Sequence, residues 1–395
     1  MLHFVQRVSP LWLCLGLFPG AARGVVVVWI HGGANTRWET AGNWSSGQPG
    51  SGDIASFNGS GLGASPTIRT NSFSVGALEF LSGADAKTIG GSGILTIAGV
   101  GGAGITNSSG VTQTFAPGVA IGSSQTWTTS GAASNLTFSR TLDLAGYSLT
   151  VDSDGGTTVA LSTGNGDIIS GTGSAIVKNG AGTLSLQGNV ANTFDGGFTL
   201  NDGTVSIGNN ASLGTGTLTL AGGTLSASKD KVIANALDLT GAATISGTSG
   251  TDFNFQTSSI SVAGGSLSIE NADGAGATAV ATAGFSAAGS TLGFNIAIGS
   301  NAELDFLNPS GTVTFSGNLS GAGGVRQNSG GTALLSGTNS YSGVTLLDAG
   351  TIEITNNTAL GSSQLDLSGG TLVADGALTL GNNLRLSGAS TINAT

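Results

Sequence analysis

Two aspartates alternate ahead of a glycine pair at Asp152-Ser153-Asp154-Gly155-Gly156, the kind of opening that offers carboxylate oxygens to calcium. A complete calcium loop also needs a later Asp or Asn and a bidentate Glu. Gly156 and Thr157-Thr158-Val159 supply neither, and no glycine-rich nonapeptide calcium repeat recurs. The stretch therefore reads as a turn. Asp195, Asp202, Asp238, Asp348, Asp366 and Asp375 are the acids that a polysaccharide hydrolase could pair on one face, one protonated and one ionised. Most lie beside glycine or in turns, and no pair has a neighbouring Lys, Arg or His to tune it. His31 is the one histidine outside the N-terminal leader, and a lone histidine reads as structural. There is no zinc-protease motif, no phosphate-binding loop ending in Lys-Ser/Thr, and no cysteine outside the leader. Catalytic, cofactor-binding and metal residues are thus all expected to be absent, and the chain is expected not to be an enzyme. Trp29, Trp38 and Trp44 leave two readings open. Their faces could stack on sugars, or the rings could plug one end of the fold.

Charge sets limits on partners. The net charge is −10, and the 11 Lys and Arg are scattered without a cluster. Nucleic-acid binders carry basic patches, so nucleic acid is excluded as a partner. Only 8% of residues are charged while Gly contributes 70. Disorder favours high charge and low hydrophobicity; this composition instead fits many turns and an uncharged surface of Ser, Thr and Asn. Methionine, lysine and glutamate are scarce, so helices lack their usual formers. An all-β chain follows.

The elements that would position any site are set by a short rhythm. Gly182-Thr183-Leu184, Gly203-Thr204-Val205, Gly223-Thr224-Leu225 and Ala243-Thr244-Ile245 recur at about 20-residue steps. Phe198-Thr199-Leu200, Leu218-Thr219-Leu220 and Leu237-Asp238-Leu239 run between them. Each is a short alternating strand. A unit of this size cannot bury its apolar face alone, which points to stacked rungs. The rhythm returns at Gly331-Thr332, Gly350-Thr351, Gly370-Thr371 and Ser390-Thr391, with Val344-Thr345-Leu346, Leu365-Asp366-Leu367 and Leu384-Arg385-Leu386 between. Shifting Thr204–Ile245 by 147 positions matches roughly 20 of about 42 residues without a gap, so the block is duplicated. Rungs of about 20 to 22 residues give roughly 17 rungs and a rod of roughly 80 Å at the inter-strand spacing.

Residues 1–24 read as a secretory signal peptide: Arg7, the apolar run Leu11–Phe18, and a small-residue exit with cleavage after Ala21 or Gly24. Residues 25–90 then form a Trp-rich N-terminal cap and the first rungs. Residues 91–395 are β-helix repeats, with the duplicated block at 171–247 and 321–395. No transmembrane segment is expected in the mature chain. The rhythm is still running at Thr395, as it would in a fragment.

Gly180-Ala181-Gly182-Thr183-Leu184, Asn192-Thr193-Phe194-Asp195-Gly196-Gly197-Phe198-Thr199-Leu200 and Asp202-Gly203-Thr204-Val205 resemble the autotransporter-associated β-strand repeat. Gly337-Thr338-Asn339-Ser340-Tyr341-Ser342-Gly343-Val344-Thr345 and Ala349-Gly350-Thr351-Ile352 carry it a second time. The resemblance implies a right-handed parallel β-helix passenger, secreted from or displayed on a Gram-negative-type cell and adhesin-like. Members usually carry an outer-membrane barrel or sorting anchor, and neither is visible here. Partners would be a surface glycan or a host or neighbour-cell matrix. The runner-up readings are a carbohydrate-active β-helix and a glycan-binding module centred on Trp38 and Trp44.

Overall fold

The computed structural model describes residues 24–60, 64–69, 71–161, 164, 166–256, 260–263, 265–273, 281–286 and 288–395. The segment read as a signal peptide, residues 1–24, lies outside these apart from Gly24. The described chain is a parallel β-solenoid with about 22 residues per turn. Every strand pairing between its sheets' strands is parallel and joins one rung to the next, as in Thr183–Leu186 on Thr204–Ile207. Apart from short 3₁₀ turns at Ala41–Asn43 and Val100–Gly102 there is no helix among the described residues.

Three faces run along the rod. An 11-stranded sheet extends from Val26–Val28 to Ile260–Val262, and a 12-stranded sheet from Thr67–Ile68 to Leu319–Gly321. The third face holds a 5-stranded sheet in the N-terminal part and an 8-stranded sheet from Lys231–Ile233 onward. A 6-stranded sheet, Thr291–Leu292 to Thr391–Ala394, takes the first sheet's place in the winding order.

The threonine series seen in the sequence is a physical ladder. Thr158, Thr183, Thr204, Thr224 and Thr244 are direct rung-to-rung neighbours, and so are Thr312, Thr332, Thr351, Thr371 and Thr391. The next residue of each strand points inward. Leu184, Val205, Leu225, Ile245, Ile269 and Ile298 make one buried column. Burying each such side chain stabilises by about 1.5–3 kcal/mol, and alternation with period two puts the hydroxyl neighbours outside.

The rungs are not all of one length, because the spacing of the repeats does not hold elsewhere. Leu78 pairs with Ile105, 27 positions on, and Leu267 with Ile296, 29 on. The 11-stranded sheet and the 6-stranded sheet in its place stack 17 strands on one face, roughly 80 Å at the inter-strand spacing.

An aromatic column fills the N-terminal end. Trp38 and Trp29 meet Trp44 edge-on at 4.8 and 5.0 Å between ring centroids. Below them Phe57 stacks on Phe80 at 4.7 Å, and Phe115 on Phe138 at 4.6 Å. At the last rung, Leu384, Leu386 and Ile392 are 52, 65 and 56% exposed.

Candidate functional site

The glycan reading of the tryptophans meets a geometric obstacle. Trp29 and Trp38 are 0% exposed and Trp44 is 2% exposed. Trp44 Nε1 donates to the Trp38 carbonyl at 2.7 Å. No ring face is free to stack on a sugar, and the rings cover the end of the core. Asp152 and Ser153 end the strand Leu149–Ser153, and Asp154 to Gly156 lead into the turn before Thr158–Ala160, closed by Thr157 N–H donating to the Asp154 carbonyl at 3.1 Å.

The six aspartates separate into two groups. Asp195, Asp202, Asp238 and Asp375 form no ion pair among the described residues, although Asp202 lies beside the buried Lys178, and Asp195 and Asp202 accept turn amides from Gly173 and Gly203. Asp348 and Asp366 do have cationic neighbours, contrary to the sequence reading. Arg326 Nε donates to Asp348 Oδ2 at 2.7 Å, and Arg385 Nη1 to Asp366 Oδ2 at 3.2 Å. These partners lie about 20 residues away, so stacking of rungs creates contacts that the linear sequence does not display.

The strongest concentration of charge surrounds two acids the sequence analysis did not single out. In the strand Ala302–Phe306 of the 8-stranded sheet, Leu304 and Phe306 fill the core. Alternation sends Glu303 and Asp305 to the opposite face, where such residues are normally wet. Here Glu303 is 8% and Asp305 6% exposed. Rung neighbours put Glu303 between Thr282 and Gly324, and Asp305 between Gly284 and Arg326. Asp252 is two rungs from Glu303 in the same row and accepts the Thr282 hydroxyl. Asn328 Nδ2 reaches Asp305 Oδ2 only at 3.5 Å, and Asp305 Oδ1 has no hydrogen-bond partner.

Burial, reinforced by Glu303, pushes Asp305 up to about 7, with Arg326 opposing. Burial likewise raises Glu303; Arg326 again opposes, while Asp348 and Asp252 add to the rise. Strongly displaced carboxyls of this kind cluster at functional sites. Beside them a cavity of about 290 Å³ is lined by Glu303, Ala302, Ala322, Gly323, Val344 and Leu346, among others. Sequence reading passed over Glu303-Leu304-Asp305 because the glycine-threonine rhythm is weak there. The usable signal was two acids at i and i+2 on one face of a strand in a chain poor in charge.

A second hollow, of about 280 Å³, lies across the 5-stranded sheet, with Ile94, Gly118, Ala120, Arg140, Asp143 and Asp167 in its lining. Asp143 is exposed there and Asp167 half-buried. No group of three or more His, Cys, Asp or Glu is placed to hold a metal among the described residues.

The duplicated block has its own interior device. Asn192 Oδ1 accepts from Ile169 N–H at 2.9 Å, and its Nδ2 donates to the Ser212 carbonyl at 2.7 Å. Asn339 repeats this with Leu319 at 2.8 Å and Ala359 at 2.6 Å. Each asparagine staples three rungs on the side that lacks a strand. Phe194 and Tyr341, both 0% exposed, fill the core beside them.

These two segments are the ones a family model recognises. The model described as passenger-associated-transport-repeat matches residues 176–207 and 325–354, each covering four strands and one asparagine staple. Comparison with curated proteins and with solved structures gave no match. The chain thus carries, in two copies on a parallel β-solenoid, the passenger-associated-transport-repeat of the autotransporter-associated repeat family.

Proposed function

We propose that this protein is a secreted or surface-displayed passenger-type rod of a Gram-negative-type bacterium, with a structural, adhesin-like role and no catalytic site. The observation that carries this reading is the passenger repeat embedded in an unbroken solenoid. Two features support it. The outward ladders are of short uncharged hydroxyl side chains, which suits a durable surface in contact with solvent. The rungs are held by packing and backbone hydrogen bonds, with no cysteine among the described residues, so an unfolded chain could be exported and then fold without an oxidant.

The test is protease accessibility on intact cells that express the full gene with an epitope inserted at the exposed Gly376 turn. Loss of the epitope on adding protease outside the cell, together with increased cell-to-surface attachment relative to a deletion strain, is expected. An epitope protected in the cytoplasm would overturn the proposal. Release of reducing sugar from polysaccharides by the purified chain would overturn the non-catalytic part.

A further inference from the structure

Going beyond a structural rod, we propose that the notch around Glu303 and Asp305 binds a primary ammonium group carried on an aliphatic stem. The acids alone would not establish this. The second observation is that Glu303 is more than nine-tenths buried, lines the neighbouring cavity, and has no hydrogen-bond partner among the described residues. Asp305 adds a buried acceptor, Oδ1, that is also unpartnered. A buried acceptor without a donor is unfavourable by about 1–3 kcal/mol, and more when charged, so the arrangement favours a ligand that brings N–H donors.

The charge balance specifies their sign. Asp252, Glu303, Asp305 and Asp348 surround one cation, Arg326, whose Nε is committed to Asp348 at 2.7 Å. The notch is therefore short of positive charge. Its walls specify the rest of the ligand. Ala322, Val344 and Leu346 give apolar lining to the cavity that Glu303 also lines, and Val344 is 39% exposed. A four- or five-carbon chain ending in an ammonium pairs an apolar stem with the apolar lining and a cation with Glu303, and fits within about 290 Å³. An ammonium carries three donors, enough for both carboxyls. A metal ion fits less well, because no third ligand is placed to complete its shell among the described residues.

Without ligand, the two acids relieve their repulsion by holding a proton, so an incoming ammonium must displace it. The test is calorimetric titration of the full chain with 1,5-diaminopentane and with Nα-acetyl-lysine methylamide, each in two buffers of different ionisation heat at pH 7. The neutral controls are 1,5-pentanediol and Nα-acetyl-norleucine methylamide. Saturable binding of the amines with proton release, at least about tenfold weaker at pH 5.5 than at pH 8, is expected. E303Q and D305N should each weaken it by about tenfold or more. Tighter binding of the free diamine would identify small polyamines as the source, and tighter binding of the lysine amide a protein side chain. Val344→Lys, which introduces its own ammonium into the lining, should fold and no longer bind. Equal binding of the neutral controls, binding without proton release, or binding unchanged in V344K would overturn the proposal. So would calcium saturating the same notch, or glycan cleavage dependent on Glu303. None of these outcomes bears on where the protein is displayed.

Discussion

Lys178 gives the sharpest test of how the interior is built. It sits in an inward position of the strand Ile176–Asn179, between Val151 and Leu200 on the adjacent rungs, and is 0% exposed. Its Nζ turns back to donate to the carbonyls of Asn179 and Gly180, both at 2.6 Å. Burial lowers it from 10.5 to about 8, with Asp202 and Asp152 opposing. Between those two pH values the unfolded chain holds a proton that the folded chain has lost. Stability therefore rises with pH across this window. At roughly 1.36 kcal/mol per unit the full gain is about 3 kcal/mol, of which about 2.5 kcal/mol is reached by pH 10. A neutral amine can still donate to both carbonyls, so the geometry survives deprotonation. The second repeat solves the same problem without a charge: Gln327, also 0% exposed, donates to the Gly331 carbonyl at 2.8 Å. Lys178→Gln should therefore remove the pH term while keeping a donor at the turn. The assay is guanidinium unfolding by far-UV circular dichroism at pH 7, 8, 9 and 10 for both proteins. The difference in unfolding free energy should move toward the parent by about 2.5 kcal/mol from pH 7 to pH 10. Tyr341, whose burial pushes it up, is common to both proteins and cancels. Parallel pH profiles would refute the argument that a charged lysine is held in the core.

Asp305→Asn should act in the opposite pH range. The parent carboxyl is raised to about 7, so its contribution to stability is full below the usual aspartate range and is lost as pH rises through 7. The variant should be more stable at pH 8 by on the order of 2–4 kcal/mol, with the advantage gone near pH 4, as read by thermal melts. Gly203→Ala tests the turn geometry. Gly203 has φ +71, and an added Cβ would fall 2.3 Å from the Gly182 carbonyl oxygen, so a loss of about 2–3 kcal/mol in denaturant unfolding is expected. Asn192→Ala and Asn339→Ala should each lower stability by about 1–3 kcal/mol, because each leaves buried backbone groups on two rungs unpaired; amide exchange at Ile169 and Leu319 would report it directly. Trp38→Ala should open the capped end at about 3–5 kcal/mol, visible as early loss of near-UV dichroism, while Leu184 amide exchange six rungs away stays unchanged.

The ladders were readable because they depend on one-dimensional facts. Thr183, Thr204, Thr224 and Thr244 recur at a nearly constant step, each beside an aliphatic residue, and stacking converts that step into direct contact. The acidic notch was not readable for the same reason in reverse. Glu303, Arg326 and Asp348 meet through rungs of different length, and the step from Leu267 to Ile296 breaks the period just before them. Burial of Glu303 and Asp305 on the outward side of a strand is likewise a tertiary fact, since period-two alternation predicts exposed side chains there. The cap was half readable. Three tryptophans in one short segment announce a large apolar surface, but only packing decides whether that surface faces the core or a sugar.

The duplication also shows why equal sequence does not mean equal placement. The first repeat pairs Phe198–Leu200 within the 11-stranded sheet and Thr204–Ile207 within the 12-stranded one. Its counterparts, Thr345–Leu347 and Thr351–Ile354, belong to the 8- and 6-stranded sheets. In the winding order each lies two faces on, which is one face back, since the 6-stranded sheet follows where the 11-stranded one stops. A shift of 147 residues at about 22 per rung is close to six and two-thirds turns, so the second copy is rotated by a third of a turn about the rod. The asparagine staples at Asn192 and Asn339 therefore face different directions, although their hydrogen bonds are equivalent. A partner that recognised the stapled side of one repeat would have to approach the other from another side. What the two copies share is thus an interior solution, the staple with its aromatic plug, rather than a single continuous outer surface. That division fits a rod whose repeats supply rigidity while its distinctive chemistry, the buried acid pair, lies in the irregular rungs between them.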